Sequence, residues 1–266
     1  MKSTVSLLVL GILCLSTTLS HADELNVLGT ANNFAVLGAT AVTNTGPTVL
    51  GADLGVSPGT SITGFPPGGF SNGGTQVGAT ASMQGQVDAL AGYTALKALP
   101  FTQNLTGQDL GGQTLTPGVY FFSSSAQLTG PLTLNFDGLS NTSFVFQTGS
   151  TLTTASGSAV DVINQGTNDS IYWAIGSSAT FGTTSSFEGD VIADQSITLT
   201  TGASIACGNA IALNGAVTLD TNNIGTGCSA GSSVPPPSAV PEPGTLSLVL
   251  SGILGVGGVV RRRFDA

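Results

Sequence analysis

The chain has 266 residues, of which 41% are hydrophobic and 7% charged, and its formal net charge is −9. This excess of carboxylates excludes binding to nucleic-acid backbones and to anionic lipid, because both depend on Lys and Arg. The many Val, Ile, Leu and Phe residues at strand-like spacing argue against a disordered chain and predict one folded domain.

The chain begins with the three parts of a secretory signal peptide. A positive start at Met1-Lys2 precedes an apolar run from Val5 to Leu15, and Ser20-His21-Ala22 matches a small-x-Ala cleavage site. We therefore predict a signal peptide over residues 1–22 and an exported mature protein. A transmembrane anchor is the alternative, but the apolar run is short for spanning a bilayer.

The predicted mature region, residues 23–239, lacks the side chains that most enzymes need. Its only basic side chain is Lys97, and it contains no His and only two Cys. A triad hydrolase needs His or an equivalent base, and zinc sites favour His and Cys ligands. We therefore predict that the protein is not an enzyme and that it binds neither a metal nor a cofactor.

Residues 76–99 form the one predicted helix. This segment lacks strand alternation, is rich in Ala and ends before Pro100. At 1.5 Å per residue the helix would be about 36 Å long, which matches roughly seven stacked strands. Four residues with 4-3-4 spacing should share one apolar face: Met83, Val87, Leu90 and Thr94.

The remaining segments repeat with a period near twenty. Similar segments start at Thr133, Thr151, Thr180, Thr198 and Thr218, which are 18, 29, 18 and 20 residues apart. A polar insert at 164–170 would absorb the longest step. Alternation within each segment, as in Ile197-Thr198-Leu199, turns apolar side chains inward and Thr outward. The repeat therefore predicts a β-solenoid built from short strands.

Two cysteines, Cys207 and Cys228, remain in the predicted mature region and its flank. An exported protein occupies a compartment that permits disulfides, so we predict a bridge between them. The bridge would tie the last segment of the domain back to an earlier coil. Two free buried thiols are the alternative.

The C-terminal end carries a second targeting pattern after a Ser/Pro linker at 229–240. Pro241-Glu242-Pro243 precedes an apolar stretch, Leu246 to Val260, and the basic cluster Arg261-Arg262-Arg263. An apolar run followed by basic residues is a stop-transfer pattern. Residues 241–266 resemble the PEP-CTERM sorting signal of Gram-negative bacteria. The resemblance implies transient anchoring in the inner membrane, cleavage by an exosortase and delivery to the cell surface; a plain tail anchor is the alternative.

The domain between these signals, residues 23–228, resembles the microbial ice-binding proteins that have a discontinuous β-solenoid. The resemblance covers Leu28 to Ile224. It implies an all-β solenoid, a discontinuous right-handed β-helix of roughly seven coils, with one long α-helix alongside and the N-terminal coils next to the C-terminal ones. Six phrases in this order carry it: Phe34-Ala35-Val36-Leu37-Gly38, Val42-Thr43-Asn44-Thr45-Gly46-Pro47-Thr48, Gly55-Val56-Ser57-Pro58-Gly59, Leu115-Thr116-Pro117-Gly118-Val119-Tyr120, Phe144-Val145-Phe146-Gln147 and Ala210-Ile211-Ala212-Leu213-Asn214-Gly215-Ala216-Val217-Thr218-Leu219.

The same resemblance implies where an ice-binding face would lie. Family members often carry a Thr-(Ala/Gly)-x-(Thr/Asn) motif, and Thr201-Gly202-Ala203-Ser204 comes nearest to it. Threonine suits such a face because its β-branched side chain is stiff and exposes a methyl and a hydroxyl group. Any single residue of the set could instead be an ordinary solvent-facing strand residue. The predicted ice-binding residues are Thr154, Ser156, Thr183, Ser186, Thr201, Ser204, Thr221 and Asn223.

The predicted partner is the surface of an ice crystal, and we expect a monomer that binds no nucleic acid. An extracellular matrix or adhesion protein that binds exopolysaccharide is the main alternative. Sugar sites place exposed aromatic rings against their ligand, and Tyr172-Trp173 is the only candidate cluster. A residual enzyme is the weaker alternative, because the mature region lacks His and Arg.

Overall fold

The computed structural model describes residues 27–72 and 74–225. The chain divides into two compact units, Met1–Gly227 and Cys228–Ala266, and the described residues belong to the first. The predicted signal peptide, linker and sorting segment lie outside the described residues, as does Cys228, so these assignments and the disulfide bridge stay predictions. Within the described residues, no helix is long and apolar enough to cross a membrane.

The N-terminal part of the domain forms a 3-10 turn, Gly29–Asn33, and six short strands before the one α-helix that the described residues contain. In chain order these are β1 (Phe34–Gly38), β2 (Ala41–Thr45), β3 (Val49–Leu50), β4 (Asp53–Val56), β5 (Ser61–Thr63) and β6 (Gly69–Phe70), followed by α1 (Ala79–Ala98). The prediction of a mostly β protein with one helix is confirmed.

Seventeen further strands follow the helix among the described residues. They are β7 (Gln103–Asn104), β8 (Thr114–Leu115), β9 (Gly118–Phe122), β10 (Ala126–Leu128), β11 (Pro131–Asn135), β12 (Ser143–Thr148), β13 (Leu152–Thr154), β14 (Ala159–Ile163), β15 (Ser170–Ile175), β16 (Ala179–Phe181), β17 (Ser186–Phe187), β18 (Asp190–Ala193), β19 (Ile197–Leu199), β20 (Ser204–Ile205), β21 (Ala210–Ala212), β22 (Val217–Asp220) and β23 (Asn223–Ile224).

These strands make three parallel sheets of eight, seven and eight strands, which we name sheets A, B and C. Sheet A runs β4-β1-β21-β18-β15-β12-β9-β7, sheet B runs β10-β13-β16-β19-β22-β2-β5, and sheet C runs β6-β3-β23-β20-β17-β14-β11-β8. From β9 onward, successive strands visit sheets A, B and C in turn, and we call one such circuit a coil. The strands β1 to β6 extend the sheets beyond β21 to β23, so the first coils of the domain adjoin its last one.

The space between the sheets is filled by the inward side chains of alternating strand residues. An aromatic stack runs through several coils, with ring centroids 3.8 Å apart for Phe146 and Trp173 and 4.6 Å apart for Trp173 and Phe187. The indole N–H of Trp173 donates a 3.0 Å hydrogen bond to the Glu188 carbonyl oxygen. Tyr172 and Trp173 are both buried. The one candidate cluster for stacking on a sugar is therefore not on the surface, because alternation turns Trp173 into the core and Tyr172 toward the helix side of sheet A.

Helix α1 packs on the outer face of sheet A, but not through the predicted residues. Met83, Val87 and Leu90 are 56%, 57% and 54% exposed, so the predicted apolar face points away from the sheet. Sheet A supplies the large side chains at this contact, and the helix must supply small ones. A Cβ atom at Gly85 would lie 2.7 Å from a ring carbon of Phe34. The buried face of the helix consists of Ser82, Gly85, Ala89, Gly92 and Leu96.

Polar bonds also fasten α1 to sheet A. The side-chain amide of Gln147 donates to the carbonyl oxygens of Leu96 at 2.7 Å and of Leu99 at 2.9 Å. The ammonium of Lys97 donates to the Thr148 carbonyl oxygen at 2.7 Å, and burial lowers its pKa from the ordinary value. The Gln147 bonds reach carbonyls at the C-terminal end of the helix, where intrahelical partners run out, and the Lys97 bond reaches a carbonyl of the sheet. As a result, sheet A is covered over much of its outer face.

The predicted repeat is correct in the later coils and wrong at its start. Thr180, Thr198 and Thr218 pair in register on sheet B. At the start, Thr153 rather than Thr151 pairs with Thr180, and Thr133 lies in β11 of sheet C, where it pairs with Asp161. The error has a physical cause: two consecutive coils carry long loops, at 136–142 and 164–169, which pair with each other rather than with the sheets.

Candidate functional site

Sheet B offers a continuous surface of threonine side chains. Its strands pair so that one outward residue from each forms a row across the sheet. Neighbouring strands in a sheet lie about 4.8 Å apart, so the row repeats at that spacing. After Gln127 of β10, the row consists of six threonines that we call the threonine ladder: Thr153, Thr180, Thr198, Thr218, Thr43 and Thr63.

The local sequence explains why these threonines point outward. In β16 and β19 the threonine stands between two buried apolar residues, as in Ile197-Thr198-Leu199. The inward residues fill the core, so strand alternation leaves the threonine on the surface. All ladder residues are exposed except Thr198, which is half-buried. The hydroxyls of Thr43 and Thr218 lie 3.5 Å apart, although the two residues are 175 positions apart in the chain.

The surroundings of the ladder are small and nearly free of charge. On one side, the Thr151 hydroxyl donates to the Ser125 hydroxyl at 2.9 Å, and Ala41 pairs with Ser61. On the other side, Thr45 lies opposite Asp220. Asp220 is the one charged residue in the seven strands of sheet B that the structure describes. The described strands of sheet B therefore present an array of short side chains with a single carboxylate.

Sheet C is more mixed than sheet B. Its outward residues include a proline, a valine and a glycine, and Asp161 adds an exposed carboxylate to the same face. The row that crosses the sheet in register consists of Pro131, Ala159, Ser186, Ser204, Asn223, Val49 and Gly69. No side-chain type repeats along this row beyond two neighbouring serines.

Six of the predicted site residues fall into two groups, neither of them in the ladder. Ser186, Ser204 and Asn223 pair in register on sheet C. Ser156, Thr183 and Thr201 line the corner between sheets B and C: the Gly157 N–H donates to the Thr183 carbonyl and the Thr184 N–H to the Thr201 carbonyl. The structure therefore brings these residues to one side of the molecule, but on two different surfaces.

Thr154 and Thr221 do not occupy the predicted positions. Thr154 is 3% exposed, and its hydroxyl accepts a 2.9 Å hydrogen bond from the Gly182 N–H, so it belongs to the interior. Its neighbour Thr153 is the outward residue. Thr221 was expected to match Thr201, but the Gly202 N–H donates to the Asp220 carbonyl, so Asp220 stands opposite Thr201. Ser204 follows Thr198 by six positions, whereas its partner Asn223 follows Thr218 by five, so the later corner shifts the alignment by one.

A family model described as Ice-binding-like matches residues 36–225. An ice-binding protein of Nostoc sp. (strain HG1) is 49% identical over 260 residues, which cover 97% of this chain and 95% of the relative. The chain belongs to the ice-binding family. A solved ice-binding protein from an Antarctic biological consortium is 44% identical to this family member, with a TM-score of 0.69 over 74% of this chain and 89% of that one. For the ice-binding protein of the Antarctic ascomycete Antarctomyces psychrotrophicus, the identity is 40% and the TM-score 0.70, over 75% and 97%.

These relatives of the ice-binding family are described as ice-binding proteins and not as enzymes. Over residues 27–72 and 74–225, no cluster of three or more His, Cys, Asp or Glu side chains could hold a metal ion. Several carboxylates instead hold neighbouring segments together. For example, Asp109 accepts from the backbone N–H of Gly111 at 2.6 Å and from that of Thr129 at 3.1 Å.

Proposed function

We propose that the protein adsorbs to ice through sheet B, with the threonine ladder at the centre of the contact. The observation that carries this proposal is the alignment of six exposed or half-buried threonines, in register, on a sheet whose outer face no described helix covers. Ice presents no charge pattern, so its binder needs a flat, rigid array that orders water at a lattice-like repeat. Stacked parallel strands hold a sheet flat, and threonine side chains are stiff.

The other two faces suit this role less well. Helix α1 covers sheet A, and sheet C mixes Pro131 and Val49 with polar residues. The predicted residues Ser156, Thr183 and Thr201 border sheet B at its corner with sheet C, so they would form one edge of the contact. Exopolysaccharide adhesion has weaker support, because Tyr172 and Trp173 are buried and unable to stack on a sugar.

Thr218→Tyr tests the proposed face. The residue lies near the middle of the ladder and is exposed, so a ring there should lift the array off the ice without disturbing the core. We expect thermal hysteresis and inhibition of ice recrystallisation to fall sharply. The free energy of unfolding should change by only about 0.5 kcal/mol, as for other exposed substitutions. Melting followed by circular dichroism checks that the variant folds.

Two matched variants control for the size of the ring. Ala91→Tyr lies on the exposed side of α1 and should leave activity unchanged. Gln86, also on the helix, is a poorer control position, because its side-chain amide donates to the Ala212 carbonyl at 3.1 Å and a substitution would break this bond to sheet A. Ser186→Tyr places the same ring on sheet C and should also be active. If Ser186→Tyr abolishes activity while Thr218→Tyr keeps it, sheet C is the binding face; if the parent protein shapes no ice, the functional proposal is wrong.

We infer further that the three sheets are the walls of a discontinuous right-handed β-solenoid. Support comes from the order in which the chain visits the sheets and from the strong preference of parallel crossovers for the right hand. Sheets A and C contain eight strands each, which favours eight coils rather than the roughly seven expected. A crystal structure of the mature domain would test both the hand and the number of coils.

We also propose that the mature domain works outside the cytoplasm as a monomer. The signal-peptide pattern and the Pro241-Glu242-Pro243 segment support export, transient anchoring and release at the cell surface by an exosortase. A flat ice-binding face needs no second copy to present its array.

A further inference from the structure

Asp220 is an unexpected residue on the proposed ice-binding face. It ends β22 two residues after Thr218, is half-buried, and is the one charged residue in the described strands of sheet B. An ionised carboxylate binds liquid water strongly and does not resemble the neutral groups around it. Its contacts explain its position.

The carboxylate of Asp220 holds two threonine hydroxyls. One of its oxygens accepts a 2.5 Å hydrogen bond from the Thr201 hydroxyl, and the other accepts a 3.1 Å bond from the Thr221 hydroxyl. Both threonines are exposed at the corner beside the ladder, and Thr201 belongs to the neighbouring coil. Hydrogen bonds to an ionised acceptor are shorter and stronger than those between neutral groups.

The backbone that carries Asp220 is itself fixed. Its N–H donates to the Asn222 side-chain oxygen at 2.6 Å, and its carbonyl accepts from the Gly202 N–H at 3.0 Å. The Asn222 amide in turn donates to the carbonyls of Thr200 at 2.9 Å and Ala203 at 2.8 Å. The carboxylate therefore sits on a rigid support that joins two coils.

This arrangement determines what the two hydroxyls offer to water. An ionised carboxylate only accepts hydrogen bonds, so Thr201 and Thr221 both direct their protons at Asp220. The lone pairs of their oxygens then remain for water molecules above the surface. An unconstrained hydroxyl would rotate, and ordering it on contact with ice would reduce the free energy gained.

We propose that Asp220 is a positioning residue of the ice-binding face, which fixes Thr201 and Thr221 as hydrogen-bond acceptors along the edge of the threonine ladder. This inference rests on the proposed function. It assigns a defined role to two residues that lie outside the ladder itself. It also accounts for a charge on a face that is otherwise neutral.

A double-mutant cycle tests the proposal, with Asp220→Ala, Thr201→Val and both together in the mature domain. Valine keeps the shape of threonine and removes its hydroxyl. We expect each single variant to lower thermal hysteresis several-fold, and Thr201→Val to add little further loss once Asp220 is alanine, because coupled residues are not additive. Melting temperatures should be recorded for all variants, and Asp161→Ala on sheet C serves as a control for charge removal.

Two results would overturn the inference. Asp220→Ala with full hysteresis would show that the carboxylate has no positioning role. Fully additive losses in the cycle would show that Asp220 does not act through Thr201. Thr218→Tyr, measured beside these variants, distinguishes a failure of the Asp220 proposal from a failure of the proposed binding face. If Thr218→Tyr still abolishes activity, only the role of Asp220 is rejected. If it keeps activity, the proposed face itself is wrong.

Discussion

Asp190 carries a half-buried carboxylate whose protonation is coupled to folding. Burial raises its pKa to about 7 from the ordinary value of 3.8, and a hydrogen bond from the Asn209 N–H offsets part of this effect. Between these two values the folded protein holds a proton that the unfolded chain has released. The free energy of unfolding therefore falls as the pH rises through this interval and levels off above about pH 7.

We expect Asp190→Asn to remove much of this pH dependence, because asparagine does not ionise. Urea denaturation at about pH 5 and about pH 8 should show the parent protein losing more stability between the two than the variant does. Glu188 contributes in the same direction, since burial raises its pKa, whereas the hydrogen bonds from Thr30 lower the pKa of Asp88. An identical pH dependence in parent and variant would contradict the assignment to Asp190.

The ladder threonines also show how far single residues could be predicted. Alternation in the sequence indicates that Thr198 points outward between Ile197 and Leu199, and the structure confirms it. The prediction of Thr154 as an ice-binding residue is wrong by one position, because Thr153 is the outward residue. Neighbouring residues of a strand point to opposite faces of the sheet. The family motif predicts residues that lie at the corner between sheets B and C. The simpler pattern of a threonine between two apolar residues predicts the ladder.

At the level of elements, helix α1 was predicted almost to its ends and wrongly in its orientation. The expected range of 76–99 compares with Ala79–Ala98, and the residues before it pair with β4 instead, through a bridge between Leu54 and Gln76. Amphipathic reasoning expects the large apolar residues of a helix to face the core. Here the partner surface already carries Phe34 and Leu37, so the fit requires small residues on the helix. The glycines at 85 and 92 indicate close packing in the sequence, but the large side chains of the partner surface lie far away in the chain.

Gly92→Ala tests this interpretation of the helix. Alanine is the better helix former by about 1 kcal/mol, so propensity alone predicts a gain in stability. A Cβ atom at Gly92 would instead overlap the carbonyl oxygen of Val27, a backbone group that has little freedom to move. We expect a lower free energy of unfolding in urea.

Ala91→Gly, on the exposed side of the same helix, measures the propensity effect separately and should cost about 1 kcal/mol. A Gly92→Ala protein that is more stable than its parent would show that the contact between helix and sheet is looser than described.

At the scale of the whole molecule, the sequence repeat predicts short strands and a period near twenty residues. It does not predict the order in which the coils stack. The spacing of Thr180, Thr198 and Thr218 was correct because these coils have short corners. The two loop-bearing coils disturbed the alignment of Thr133 and Thr151, since loop length is independent of the repeat. The position of β1 to β6 beyond β23 follows from no local pattern, and only the family resemblance implied it.

Processing of the whole chain can be checked by intact mass. Protein recovered from a host that has the sorting enzyme should lack residues 1–22 and the segment from about Pro241 onward, because both ends carry removable signals. A host without that enzyme provides the control and should yield the longer form. A product from the first host that still contains Arg261, Arg262 and Arg263 would contradict the sorting hypothesis.

The junction between β2 and β22 has a consequence for how the protein is made. Thr43 leaves the ribosome early and Thr218 late, yet the two are neighbours in the ladder. The strands near the N-terminus therefore have no partner on one side until nearly the whole domain has been synthesised. Contacts so distant in sequence slow folding. The N-terminal coils therefore complete their place in the sheets only late in folding.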